Sequence, residues 1–269
     1  MKIIACIKQV PDPETPSTEY RIDQEAKRIV LPKDVPLVIS PFDANAVEAG
    51  IQLKEEIEGT LTVISLATTP TPEIIRDLRH TLAMGADQAI LLDDPAFKGG
   101  DSHSTAYSLA MAIKKLGEYD LILCGRQAAD WDAGQVALGI AEILGIPAAT
   151  PVRKIEAGEG CIRVECIIDN GFEELELPLP SVLAVSNEAN TPRIPALGGI
   201  KRAAKKEIPV WVATQIDADT ARIGVSGTRT TIESLEIPQY ESRCEFITGA
   251  DPDEAAMRLV ARLREEKII

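Results

Sequence analysis

The sequence of residues 119–135 is YDLILCGRQAADWDAGQ, and this stretch decides the fold class. Its apolar run, Leu121 to Cys124, is typical of a strand that is buried on both faces of a parallel sheet. Gly125 lets the chain turn, and either Asp130 or Asp132 can cap the helix that follows. The free amides of a helix start attract phosphate, but an aspartate cap would occupy them and repel the anion. A nucleotide-binding junction and an ordinary capped turn therefore both stay open.

Strands and helices alternate before this stretch. The predicted strands are Lys2–Val10, Leu61–Ala67, Ala89–Leu92 and Leu121–Cys124. The predicted helices are 41–58, with Ser40 as its cap and Gly59 after its end, Glu73–Met84, Ser102–Leu116 and Ala133–Leu144. Such alternation predicts an α/β fold with a parallel sheet and right-handed crossovers.

The pattern changes after Pro147. Residues 162–167 alternate between apolar and polar, the turn Asp169-Asn170-Gly171 follows, and Phe172–Leu177 returns, which together predict an antiparallel appendage over 151–186. A second, small polar hairpin is expected within residues 20–31. Residues 187–199 are rich in Pro, Gly and Asn, so we expect a protruding loop, followed by a helix that carries Lys201, Arg202, Lys205 and Lys206.

The C-terminal part has a weak apolar pattern. Residues 211–245 have too few apolar positions to form a core alone, so we expect them to lie on another surface. An amphipathic helix is predicted from Ala255 to Glu265. The sequence thus predicts an α/β domain over 1–210, which includes the appendage and a loop over 187–206, and a C-terminal arm over 211–269.

Composition limits the function. The 269 residues carry a formal net charge of −14, which disfavours non-specific binding to nucleic acids or anionic membranes. No apolar run approaches the ~20 residues of a membrane span, and the chain begins directly with a strand, so we expect a cytoplasmic protein without membrane insertion. The five cysteines form no CxxC pair and are expected to be buried free thiols in a reducing compartment.

Common catalytic motifs are absent from the sequence. It contains no GxGxxG after the first strand, no GxxxxGK[ST] and no GxSxG. His80 and His103 have no neighbours at metal-ligand spacing. We therefore expect no catalytic residues and no metal site, and the absence of a nucleophile or general base favours a carrier or binding protein.

Several motifs resemble the β subunit of electron transfer flavoproteins, over essentially the full chain. They are Lys8-Gln9-Val10-Pro11-Asp12, Ser40-Pro41-Phe42, Ala83-Met84-Gly85-Ala86-Asp87, Gly125-Arg126-Gln127-Ala128 with Asp130 and Asp132, Asp169-Asn170-Gly171, and Asn190-Thr191-Pro192-Arg193 before a lysine-rich helix. The resemblance implies a Rossmann-like sheet of the adenine-nucleotide α-hydrolase-like type, with helices on both faces and an extended C-terminal arm.

The resemblance also implies cofactors and partners. An α subunit would hold the redox-active FAD, and this chain would bind AMP, or a second FAD if it belongs to the electron-bifurcating type. The heterodimer would carry electrons from acyl-CoA-type dehydrogenases to a quinone- or ferredoxin-linked acceptor, in a membrane or in solution. The C-terminal arm would pack on the α subunit.

Site residues follow from the resemblance position by position. The implied nucleotide-binding residues are Cys6, Ile7, Ser40, Ala67, Gly125, Gln127, Asp130, Asp132, Ala133, Gly134, Gln135 and Val136. Phe42 is placed to approach the flavin of the α subunit, although packing between helix and sheet is an equal alternative. The implied partner-docking residues are Ala189, Pro192, Arg193 and Ile194. Ala189, at the position of the family's hydrophobic anchor, can bury less apolar area than a leucine, by about 1–2 kcal/mol.

Departures from the family pattern bear on the nucleotide. Trp131 and Ala133 stand where the bifurcating type tends to have glycine and threonine, and Val136 replaces the phosphate-binding hydroxyl of the simple type. These departures favour AMP over a second FAD. Two other classes stay open as alternatives: a nucleotide-hydrolysing or adenylating enzyme, although its Ser-Gly-Gly loop is absent here, and a nucleotide-sensing module of the universal stress type.

Overall fold

The computed structural model describes residues 1–32, 34–67, 72–237 and 244–269. The strands are β1 (Lys2–Ile7), β2 (Gln9–Pro11), β3 (Arg21–Asp23), β4 (Arg28–Val30), β5 (Leu37–Ile39), β6 (Thr60–Ala67), β7 (Gln88–Asp93), β8 (Leu121–Gly125), β9 (Ala148–Ala157), β10 (Cys161–Ile168), β11 (Gly171–Pro178), β12 (Ser181–Val185) and β13 (Val210–Trp211). The helices are α1 (Pro41–Ile57), α2 (Pro72–Met84), α3 (Ser102–Leu116), α4 (Val136–Leu144), α5 (Leu197–Ala203) and α6 (Pro252–Glu265). Short 3-10 turns lie at Ser17–Glu19, Pro95–Phe97, Ala213–Ile216, Thr220–Arg222 and Gly224–Gly227.

Nine of the described strands form one sheet, in the order β11-β10-β9-β12-β8-β1-β6-β7-β13. In this spatial order, neighbouring strands are parallel from β9 to the β13 edge of the sheet. At the other edge, β10 is antiparallel to both β9 and β11. The predicted α/β fold with a parallel sheet is therefore confirmed. The antiparallel hairpin of β10 and β11 is also present, and it continues the edge of the large sheet. The predicted appendage over 151–186 is wrong at its end, because β12 lies inside the sheet and pairs in parallel with β8 and β9.

Helices cover both faces of the sheet. Successive side chains of each strand point to opposite sides, so the apolar strands present apolar surface on both faces for the helices to bury. On β1, Ile3 and Ala5 pack on the side of α1 and α2, whereas Ile4 packs on the side of α3 and α4. A fully buried side chain such as Ile3 or Leu123 stabilises the fold by about 1.5–3 kcal/mol relative to an exposed one. A strand that is buried on both faces has apolar side chains at successive positions. This is why the continuous apolar runs in the sequence predicted the fold.

The first predicted strand, Lys2–Val10, is wrong in its length. The backbone N–H of Lys8 donates to Asp43 Oδ2 at 2.8 Å, and the Lys8 carbonyl accepts from Ser40 N at 2.9 Å. These bonds take the peptide groups of Lys8 out of the sheet. The chain then forms β2, which pairs with β5 outside the main sheet.

The predicted start of the fourth helix is also wrong. The helix begins at Val136 rather than Ala133, and Gln135 holds its N-cap position without a side-chain cap bond in the described part of the protein. Asp130 and Asp132 accept hydrogen bonds from other groups instead. The start of α4 is therefore not capped by either aspartate.

The chain divides into two compact units, Met1–Glu233 and Ser234–Ile269. This division falls after Glu233 rather than after residue 210, because Val210–Trp211 pairs with β7 and Ala213, Ile216 and Ile223 are buried in the core beside α3. The first residues beyond 210 thus lie on this chain's own α/β unit. Residues 238–243 of the predicted arm lie outside the described ranges.

The second unit contains α6. Asp251 caps this helix by accepting from Glu254 N at 2.9 Å, and none of the residues of α6 is buried. Within the described ranges, no helix is both long and apolar enough to span a bilayer.

Candidate functional site

The chain reverses direction across the sheet between β1 and β8. From β1 it continues to β6 and β7 on one side, and then crosses back to β8 on the other side of β1. The two strands pair in register, with Cys6 opposite Cys124. Because their connections leave in opposite directions, a crevice opens at their carboxyl ends, and this is where open α/β sheets bind ligands.

Asp43, in the first turn of α1, joins the ends of both strands. Its Oδ1 accepts from Gly125 N at 2.9 Å and its Oδ2 accepts from Lys8 N at 2.8 Å. The carboxyl is buried, and burial raises its pKa to about 7, against the lowering effect of the two amides. This one side chain therefore fixes the distance between the two strand ends.

Gly125 is required by the close approach of α1. A Cβ atom at this position would lie 2.5 Å from Asp43 Oδ1 and 2.7 Å from the carbonyl carbon of Phe42. Real Cβ atoms do not come this close to other heavy atoms. The glycine that ended the predicted strand thus also allows the first turn of α1 to reach the crevice.

The loop between β8 and α4 is held by side chains from within and from outside it. Lys8 Nζ donates to both carboxylate oxygens of Asp130, at 2.7 and 2.6 Å. Gln127 Nε2 donates to Asp132 Oδ1 at 2.8 Å, and Ala129 N donates weakly to Ser40 Oγ at 3.4 Å. Both aspartates are therefore engaged away from the amides at the start of α4, which stay available to an anion.

Arg126 lies beside Phe42 at the base of this loop. Its guanidinium carbon is 4.9 Å from the centroid of the Phe42 ring, which is the geometry of a cation–π contact. Its Nε is buried and has no hydrogen-bond partner among the described residues. A buried donor without an acceptor is costly, so the site suits a bound anion.

The structure brings most of the predicted nucleotide-binding residues to this crevice. Cys6, Ile7 and Ala67 lie at the carboxyl ends of β1 and β6 and are buried, whereas the loop from Asp130 to Gln135 is exposed. Val136 is half-buried at the start of α4. The residues directly after Ala67 lie outside the described ranges, and the assignment of the whole set to a nucleotide stays a prediction.

The Cys124 thiol lies buried at the end of β8, opposite Cys6. The pKa of the Cys124 thiol is raised well above its ordinary value. The hydrogen bond with Cys6 is the larger cause, and burial of the thiol is the second. The thiol therefore stays protonated near neutral pH. All five cysteines are free, as the sequence predicts, but the expectation that all are buried is wrong, because Cys161 is half-buried and Cys244 is exposed.

The loop predicted to dock partners is fastened to α1. Asn45 Nδ2 donates to the Asn190 carbonyl at 2.7 Å, and Asn190 Nδ2 donates to the Asn45 carbonyl at 3.0 Å. Arg193 forms ion pairs with buried Glu48 at 2.9 Å and with Glu55 at 2.7 Å, and these pairs raise its pKa. The guanidinium of Arg193 is therefore engaged within the chain.

Apolar side chains are exposed just beyond Arg193. Ile194 is 92% exposed, Leu197 68% and Ile200 50%, whereas Ala189 is half-buried against the core. Leu197 and Ile200 belong to α5, which is shorter than the predicted basic helix and ends before Lys205 and Lys206. We call Ile194, Leu197 and Ile200 the exposed apolar group.

Comparisons with known proteins identify the family. The family described as "Electron transfer flavoprotein domain" matches residues 28–216. The "Electron transfer flavoprotein subunit beta" of Thermoanaerobacterium thermosaccharolyticum is 40% identical over 100% of both chains. The chain belongs to the electron transfer flavoprotein β-subunit family.

Other members of this family carry different names. The "Caffeyl-CoA reductase-Etf complex subunit CarD" of Acetobacterium woodii is 37% identical over 100% of both chains. The "Protein FixA" of Azorhizobium caulinodans is 34% identical over 95% of this chain and 90% of that protein. The resemblance stated from the sequence is therefore confirmed, and this protein is a member of an electron-transferring flavoprotein family.

The sequence did not indicate three contacts of the site: the Asp43 bonds, the Lys8–Asp130 pair and the Arg126–Phe42 stack. An aspartate in a first helical turn ordinarily favours the helix dipole, so Asp43 gives no sign of a contact with distant strands. The signal that existed was that Lys8, Phe42, Arg126 and Asp130 belong to the family motifs and that Asp43 directly follows one of them. Among the described residues no group of three or more potential metal ligands is present.

Proposed function

We propose that this chain is the β subunit of a heterodimer and binds an adenine nucleotide in the crevice between β1 and β8. The observation that carries the proposal is the Asp43 junction, which holds the ends of both strands and the start of α1 around one crevice at the switch point of the sheet. Membership of the electron transfer flavoprotein β-subunit family supports the same reading.

The chain's own residues supply two kinds of contact. The adenine end would lie against Cys6, Ile7 and Ala67 at the strand ends, with Ser40 near the ribose or phosphate. The phosphate would lie against Gly125, Gln127, Asp130, Asp132, Ala133, Gly134, Gln135 and Val136. Since Lys8 and Gln127 already bind the two aspartates, these carboxylates would shape the loop, and the amides at the start of α4 would face the phosphate.

Electron transfer would take place on a flavin outside this chain. An α subunit would hold the FAD, which supplies the redox chemistry when it is bound. Phe42 is half-buried at the start of α1, next to the crevice, and is the residue that we place closest to this flavin. In this proposal the chain itself positions groups and carries no catalytic residue.

Partners would dock on the exposed apolar group. Ile194, Leu197 and Ile200 offer large side chains to a partner, whereas Ala189 is partly covered by the chain's own core. The partner would be an acyl-CoA-type dehydrogenase, and a quinone- or ferredoxin-linked protein, in a membrane or in solution, would accept the electrons. A relative whose name includes caffeyl-CoA reductase supports a partner that acts on coenzyme A thioesters.

The bound nucleotide decides between two versions of the function. AMP would indicate a simple carrier, which we favour, and a second FAD would indicate the electron-bifurcating type. Co-expression with the α subunit, acid extraction of the purified complex and chromatography would separate them. We expect a yellow complex that releases FAD together with AMP; twice as much FAD and no AMP would establish the bifurcating alternative.

Other outcomes would overturn the proposal. A colourless complex, or one without adenine nucleotide, would exclude it. Turnover of ATP to AMP and pyrophosphate by the purified chain would favour the nucleotide-hydrolysing or adenylating alternative.

A further inference from the structure

Arg126 is fixed at the base of the crevice by its backbone. Its N–H donates to the Val185 carbonyl at 2.9 Å, so the last residue of β12 holds the position directly after β8. Its carbonyl oxygen would lie 3.5 Å from a Cβ built on Gly134. The far end of the loop therefore folds back onto Arg126, next to the glycine that we place against the phosphate.

The side chain of Arg126 is oriented by stacking but lacks an acceptor. The guanidinium lies over the Phe42 ring at 4.9 Å, while its buried Nε finds no partner in the described part of the chain. An arginine keeps its charge at all physiological pH values, so it cannot relieve this deficit by losing a proton. An acceptor from outside the chain would satisfy it.

Neighbouring carboxylates are already engaged. Asp43 accepts the amides of Lys8 and Gly125, Asp130 accepts from Lys8 Nζ, and Asp132 accepts from Gln127. Arg126 forms no ion pair with any described residue, although the chain carries a net charge of −14. The crevice therefore contains one positive charge that the surrounding carboxylates leave uncompensated.

We propose that Arg126 binds the phosphate of the adenine nucleotide, with the planar guanidinium held against Phe42. A guanidinium donates to a phosphate through two parallel N–H groups, which makes such pairs stronger than neutral hydrogen bonds. This inference rests on the proposed function, because it assigns one residue to a ligand that the proposed function introduces. It also gives Phe42 a role in this chain, as the platform that orients the cation.

Calorimetric titration of the nucleotide-free full-length chain with adenosine, AMP and inorganic phosphate would test the proposal. We expect AMP to bind the unaltered chain at least about tenfold more tightly than adenosine, because the phosphate adds a charge-assisted contact. In Arg126→Gln this advantage should fall to about threefold or less, while adenosine affinity stays the same. Arg126→Lys keeps the positive charge but loses the two parallel N–H donors of the guanidinium. This variant should therefore retain part of the preference for AMP over adenosine.

Arg163→Gln is the matched control, since it removes the same charge from an exposed position on β10. It should leave the AMP advantage intact. Inorganic phosphate alone should bind weakly to the unaltered chain and not at all to Arg126→Gln. Circular dichroism of each variant would verify that it is folded, and Arg126→Lys carries the test if Arg126→Gln does not fold.

Three results would count against Arg126 while leaving the proposed function in place. The AMP advantage could persist in Arg126→Gln, adenosine and AMP affinity could fall by the same factor, or the variant could lose its α subunit while keeping the AMP advantage. The last result would assign the guanidinium to a carboxylate of the partner. If the unaltered chain binds neither adenosine nor AMP, the proposed function itself fails.

Discussion

At the residue scale, Asp43 decides how the crevice is built. A buried carboxylate that accepts two backbone amides is stabilised as an anion by those bonds and destabilised by loss of water. Here burial dominates and raises the pKa of Asp43 to about 7, with Lys8 opposing this shift and Asp130 adding to it. The junction of β1, β8 and α1 therefore depends on a group that titrates near neutral pH.

The pH dependence of stability follows from this shift. The folded chain holds the Asp43 proton up to a pKa of about 7, whereas the unfolded chain releases it near the ordinary value of 3.8. The folded state thus binds more protons in this window, so stability falls as pH rises towards about 7 and is flat above it. Asp43→Asn cannot titrate, so we expect the stability of the unaltered chain relative to this variant to decrease by roughly 1 kcal/mol per pH unit between about pH 5 and pH 7.

Urea unfolding at several pH values would measure this difference. Asp169→Asn, in the exposed turn between β10 and β11, is the control and should show no such trend. The asparagine at position 43 can accept only one of the two amides, so the variant should also be less stable at the low end of the range. A difference between the two proteins that stays constant with pH would show that Asp43 does not titrate in this window.

At the element scale, the segment from Asn187 to Ala203 is preformed by its bonds to α1. The Asn45–Asn190 pair and the Arg193 ion pairs with Glu48 and Glu55 fix its backbone. A binding surface held in this way loses little conformational entropy on docking. The exposed apolar group therefore stands on a rigid support.

Ile194 is the side chain of this group with the most area to bury, since it is 92% exposed. We expect Ile194→Ala to weaken binding of the dehydrogenase by about tenfold, because a fully buried isoleucine is worth about 1.5–3 kcal/mol. Surface plasmon resonance with the intact heterodimer would measure it. Two variants serve as controls: Ala189→Ser in the same segment, and Ile29→Ala, which is exposed on the separate β3–β4 hairpin. If Ala189→Ser lowered the affinity for the dehydrogenase more than Ile194→Ala did, residue 189 and not Ile194 would be the main hydrophobic contact.

The elements that the sequence predicted are those with continuous or strictly alternating apolar patterns. Strands such as β6 and β8, and the β10–β11 hairpin, follow from pattern alone. β9 was missed, because Pro151 and the charged residues at 153, 154 and 156 make it look like a loop, although Val152 is fully buried. The sequence placed the candidate site in the loop between β8 and α4, and this site stays a prediction. The capping role that it offered to Asp130 or Asp132 is wrong, since the contacts of these residues depend on the fold of the loop and, for Asp130, on the distant Lys8.

At the scale of the whole molecule, the two units differ in how they bury apolar area. The unit Met1–Glu233 has cores on both faces of its sheet. In the unit Ser234–Ile269, α6 has no buried residue, and its side chains Met257, Leu259 and Val260 are exposed. Most helices in proteins are stabilised by packing of their apolar side chains, so a helix that exposes them needs a partner surface to be stable.

This contrast predicts separate consequences for folding and assembly. We expect a chain truncated after Glu233 to retain its nucleotide site and to unfold within a few degrees of the full chain, because the truncation removes none of the buried core residues. The same truncation should abolish or strongly weaken the complex with the α subunit, since it removes the exposed apolar side chains of α6. Differential scanning calorimetry and size-exclusion chromatography of the co-expressed pair would measure the two effects. A matched triple substitution of Met257, Leu259 and Val260 by serine should reproduce the loss of assembly at full length, and a stable heterodimer with either variant would show that α6 does not pack on the α subunit.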